Sequence, residues 1–158
     1  MTLENKRRFN TEKYLIALLG AFLVVIYCFN VYKLNMINII GDEFGYWAAG
    51  SFFAGLDWTD VASYNSYYSY GYSFWLALII KLVDSPLVAY KVAIALNSLF
   101  VLFTFLILVK ISHKWIFVTH KKSGILASFA VMLFSGIFFS AQTTQCEAVF
   151  NLFFVVEV

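Results

Sequence analysis

Charge is scarce in this chain. Of its 158 residues, 13% are Asp, Glu, Lys or Arg, while 62% are hydrophobic. A water-soluble domain holds about a quarter charged and about half apolar residues. The deficit means that lipid, rather than water, faces much of the surface. Proline occurs once, at Pro86, and no Ser/Gly-rich stretch is present. Together these argue against a flexible linker or a disordered tail. Cysteine occurs twice, as Cys28 and Cys146, with neither metal-ligand spacing nor a disulfide framework. Both read as small apolar residues. A net charge of +2 is too small to draw nucleic acid. No internal repeat is present.

Aromatic residues are abundant: 18 Phe, 10 Tyr and 4 Trp, one fifth of the chain. Tyr and Trp favour the membrane–water boundary, so part of this set forms an anchoring belt. Residues 1–13 are polar, with Lys6, Arg7, Arg8 and Lys13, and read as a cytoplasmic N-terminus. Tyr14 to Tyr32 carries no charge. As a helix that run is about 28 Å long, close to the ~30 Å hydrocarbon layer. A signal peptide is the rival reading. The apolar core is long for one, and no small-x-small cleavage site follows Asn30.

An outer loop, 33–86, comes next. Asp42 can cap a helix whose first turn carries Glu43, with Gly55 as a left-handed stop. Phe44, Trp47, Phe52 and Phe53 make this helix amphipathic, and Ala48, Ala49 and Gly50 allow close packing. After a stretch rich in Tyr, Ser73 to Val83 predicts a second interfacial helix, too short to span and stopped by Asp84-Ser85-Pro86. Span 87–109 and a basic inner loop 110–123 follow, the loop holding Lys110, Lys114, Lys121, Lys122, His113 and His120 but no acid. A third span covers 124–140, and residues 147–158 start a fourth. Positive charge stays inside when loops are short. The N-terminal segment and the 110–122 loop therefore share the cytoplasmic side, and Asp42, Glu43, Asp57, Asp60, Asp84 and Glu147 share the other. The predicted fold is an all-α integral membrane protein with three transmembrane helices, the start of a fourth, and two interfacial helices in the first outer loop.

The outer acids are the candidate chemistry. Asp42 and Glu43 read either as a general base with its neighbour, or a divalent-cation site, or as a helix cap with a first-turn charge. Glu147 reads as a second active-site carboxylate or as a helix-start charge. Lys91 reads as a partner for a lipid phosphate or as a lysine snorkelling to the headgroups. Tyr46, Trp47, Tyr70 and Tyr72 read as substrate-stacking rings or as part of the belt.

The order of these features resembles the N-terminal part of the GT-C membrane glycosyltransferases, in particular the lipid-carrier-dependent group with the protein O-mannosyltransferases and the aminoarabinose transferase of lipid A. The carriers of the resemblance are Asp42-Glu43-Phe44-Gly45-Tyr46-Trp47 after the first span, Ser69-Tyr70-Gly71-Tyr72-Ser73-Phe74-Trp75, Lys91 at an outer helix end, and Glu147. The resemblance implies Asp42 at the catalytic position, Glu43 as its neighbour, Glu147 as the second outer-loop acid and Lys91 at the phosphate. It implies inverting transfer of a sugar from a polyprenyl phosphate to an acceptor outside the cytoplasm. Several relatives carry a Lys-Pro pair between the surface helices; here a Tyr/Ser/Gly stretch stands instead, which leaves the donor's identity open. Such enzymes have many more spans, so the expectation is a truncated product or fragment, incomplete as an enzyme without a C-terminal part or other membrane subunits. The alternative from another class is a small non-enzymatic membrane protein, a subunit or transporter piece whose outer acids serve structure or ion binding.

Overall fold

The structure is a computed structural model that describes residues 3–29, 31–35, 37, 41–57, 70–134 and 137. All regular structure among these residues is helical. There are five α-helices: α1 (Leu3–Cys28), α2 (Gly41–Phe53), α3 (Tyr70–Leu82), α4 (Pro86–Ile111) and α5 (Lys121–Met132). A 3₁₀ turn, Val31–Lys33, follows α1, and a π-helical turn, Ser112–Ile116, follows α4.

Among the described residues, two helices are long and apolar enough to cross a membrane, over Asn10–Lys33 and Pro86–Ile116. They differ in how much neighbouring protein covers them. In its apolar window the first is 18% buried and the second 44%. The exposed residues of the first, Tyr14, Leu18, Phe22, Val25 and Phe29, form one apolar helical stripe that the described residues leave mostly uncovered. Helix α1 begins well before its apolar run, so the polar N-terminal segment is helical from Leu3.

Helices α2 and α3 have 13 residues each, roughly 20 Å and short of a crossing. Gly55 ends α2 with φ +90°, as its sequence position predicts. The Leu56 N–H donates to Ser51 O and the Gly55 N–H to Phe52 O, which satisfies two terminal carbonyls. The pair packs with almost no spacer. A Cβ on Gly50 would meet Leu76 Cβ at 2.9 Å and Ser73 O at 3.3 Å. Phe53 and Phe74 stack at 4.7 Å near the far end of the pair.

Helix α4 is the shared wall. Pro86 opens it, where a missing N–H and fixed φ suit the first turn. Its buried stripe includes Ala89, Ala93, Asn97, Val101, Phe105 and Val109. The Pro86 half carries α2 and α3, with Tyr46, Tyr72, Leu76, Ile79, Ala89 and Ala93 in one cluster. The Ile111 half carries α1 and α5, with Leu23, Tyr27, Val101, Phe105, Val109, Ile125 and Met132 in another. Lys91 reaches Tyr32, while a Cβ on Gly20 would meet Leu102, so α1 and α4 are antiparallel. Phe22 touches Phe129 and the Tyr27 hydroxyl donates to Met132 O, so α5 runs alongside α1 in the same direction. Of the predicted third span, the helix is described through Met132; the predicted fourth lies outside the described residues.

Candidate functional site

The first turn of α2 is pinned to the start of α4. Glu43 is fully buried. The Tyr90 hydroxyl donates to Glu43 Oε1 at 3.5 Å, a long bond. A buried carboxylate is costly without such donors, and the α2 amino terminus adds favourable partial charge. One turn further on, the Trp47 ring lies 6.1 Å from the Tyr90 ring, tilted by 30°. Glu43 and Trp47 are four residues apart on α2, so they share the face turned to Tyr90.

A second contact runs beside it. Tyr46 meets Tyr72 edge-to-face at 5.7 Å. The Tyr72 hydroxyl donates to Asn97 Oδ1 at 3.1 Å, deep against α4. Both tyrosines are buried, so these rings pack α2, α3 and α4 together and stand at no open surface. Tyr70, two residues before Tyr72, is 52% exposed, and Trp47 is half-buried. The four aromatic candidates therefore separate into two packed rings, Tyr46 and Tyr72, one exposed ring, Tyr70, and one that lines a cavity, Trp47.

That cavity, of about 400 Å³, is lined mainly by apolar side chains. Trp47 and Ser51 come from α2, Ile80 from α3, and Ala89 and Tyr90 from α4, with Asp84 in the turn before α4. Among the described residues none that lines it is cationic. Lys91, next to Tyr90, donates instead to Tyr32 O at 3.4 Å and so satisfies a carbonyl at the end of the first long helix.

Asp42 has its backbone in the first turn of α2; its side chain lies outside the described residues. Glu147, Cys146 and the tyrosines at 64, 67 and 68 also lie outside them. Among the described residues no three His, Cys, Asp or Glu side chains come together to hold a metal ion. Sequence reasoning missed Tyr90 and Asn97. Asn97 had a signal, a polar residue inside an apolar span. Tyr90 had none beyond its place near a helix start, where a belt residue is equally at home. No family model, curated protein or solved structure matches the chain.

Proposed function

We propose that this chain is the N-terminal portion of a membrane glycosyltransferase, moving a sugar from a polyprenyl-phosphate donor to an acceptor on the extracytoplasmic side. In this reading α1, α4 and α5 belong to three crossings, and α2 and α3 lie at the outer surface. The supporting observation is the attachment of the Asp42-Glu43 turn to the Pro86 end of α4, beside a mainly apolar cavity. A lipid-borne substrate meets a protein carboxylate most readily where a crossing helix leaves the hydrocarbon.

Asp42 serves as base. The acceptor hydroxyl oxygen attacks the anomeric carbon, its proton passes to Asp42, and the bond to the phosphate oxygen breaks with inversion. Polyprenyl phosphate leaves without a general acid, since phosphate is a good leaving group. Glu43 acts as a positioning residue through Tyr90. Lys91 spends one of three N–H donors on Tyr32 and keeps others for the phosphate. Glu147, a divalent cation, and later helices or other membrane subunits would complete the site.

The test is sugar transfer in membranes that contain the full-length protein, with any further subunits, and a polyprenyl-phosphate-linked sugar. Asp42→Asn abolishes transfer at unchanged protein level. Transfer at the original rate removes Asp42 as base.

One observation favours the non-enzymatic alternative. Glu43 is wholly enclosed, as a carboxylate used for assembly would be. Under that reading no transfer occurs at all, and Glu43→Gln changes only the amount of folded protein.

A further inference from the structure

The proposed transfer makes no use of the turn between α4 and α5. Trp115 and Ile116 there are 67% and 70% exposed, and Val118 is 58% exposed. Large apolar side chains at the tip of a turn are unfavourable in water. The turn is nevertheless well braced. The Phe117 N–H donates to Ser112 O at 2.7 Å, and His113 Nε2 donates to Lys121 O at 2.9 Å. A Cβ on Gly124 would stand 2.5 Å from Ser112 Oγ, so the start of α5 lies directly against the turn.

Cations flank the exposed pair along the chain. Lys114 Nζ sits 4.8 Å over the Trp115 ring. Lys110, Lys121 and Lys122 are exposed, and the sequence has no acid between Asp84 and Glu147. The antiparallel pairing of α1 and α4 brings the early part of α1, with the exposed Lys13, to this end of the bundle. Glu12, beside Lys13, is buried. Helix α4 has 26 residues, about 39 Å, which exceeds the ~30 Å hydrocarbon layer. Its end therefore reaches headgroup level, where Trp is favoured and lysines meet lipid phosphates.

We infer that this turn is a binding site for anionic phospholipid: Trp115 and Ile116 enter the acyl boundary, and Lys110, Lys114, Lys121 and Lys122 hold a headgroup of net negative charge. The inference rests on the reading of α4 as a crossing helix and is independent of sugar transfer.

The test uses the purified chain in bilayers of phosphatidylcholine and phosphatidylglycerol, with one or the other lipid brominated. Trp115 is kept as the sole Trp by changing Trp47, Trp58 and Trp75 to Phe. Brominated phosphatidylglycerol should associate with Trp115 roughly fivefold more strongly than brominated phosphatidylcholine. Lys114→Gln with Lys121→Gln and Lys122→Gln should remove that preference. Equal quenching by the two lipids overturns the site. No quenching by either overturns it together with the membrane reading. If the single-Trp variant does not fold, native mass spectrometry of the unaltered chain and the triple lysine variant decides. More phosphatidylglycerol retained by the unaltered chain supports the site, and equal retention overturns it.

Discussion

The two halves of α4 are packed by different rules. Around its Ile111 half, α1 and α5 supply Leu23, Tyr27, Ile125 and Met132 against Val101, Phe105 and Val109. There hydroxyls bond to backbone carbonyls, Thr104 to Phe100 O and Ser128 to Gly124 O within a helix, and Tyr27 to Met132 O between helices. A hydroxyl bonded in this way needs no water to satisfy it. Around the Pro86 half, α2 and α3 are too short to cross, and side chains of different helices bond to each other: Tyr90 to Glu43 and Tyr72 to Asn97. Such pairs are directional and set one geometry. The contrast indicates that the Ile111 half holds the helices together and the Pro86 half holds a carboxylate in place.

Four substitutions would break or sharpen this contrast. The largest effect is expected from Phe105→Ala, which empties the middle of the Ile111 cluster, where the ring is fully buried. A loss of about 3 kcal/mol should appear in unfolding from detergent. That is the low end for a Phe truncation, because lipid is as apolar as the space left behind. Gly50→Val comes next, at about 1–3 kcal/mol, because its side chain meets the backbone oxygen of Ser73 as well as Leu76. Proteolysis should then cut the α2–α3 segment while α1, α4 and α5 stay protected. Tyr72→Phe removes one hydrogen bond to Asn97 and should cost about 1 kcal/mol, read from the same unfolding curve. The smallest effect belongs to Gly20→Ala, below about 1 kcal/mol. Its nearest neighbour is Leu102 Cδ1 at 3.0 Å, the movable end of a side chain. A thermal midpoint nearly unchanged for Gly20→Ala but clearly lowered for Gly50→Val would confirm that α2 meets the backbone of α3, whereas α1 meets α4 through side chains at Gly20.

Several elements were legible in the residue order. The first crossing helix follows from an uncharged run, and the α4 start from Asp84-Ser85-Pro86. The end of α2 follows from Gly55, and the inability of α3 to cross follows from its length. Each of these depends on neighbours in the chain. The face that each aromatic presents was not legible. Tyr70 and Tyr72 belong to one Tyr-rich stretch, yet α3 turns the second into the packing and leaves the first open. Lys91 was read for a phosphate or for headgroups; in the fold it also closes a carbonyl at Tyr32. The mate of Glu43 lies 47 residues away on another helix, and no local spacing points to it.

The sequence by itself determined that this protein is helical and rich in long apolar runs, of which it predicted three crossings and the start of a fourth where the described residues show two helices long enough, and that acids and bases collect at different points along the chain. Those properties come from local propensity, hydropathy and charge, which act over a few turns of one helix. Only the tertiary structure decided that Glu43 meets Tyr90, that Tyr72 meets Asn97, and that a cavity opens between Trp47 and Asp84. These depend on how closely helices approach, and at Gly50 that approach is set by the absence of a single carbon atom.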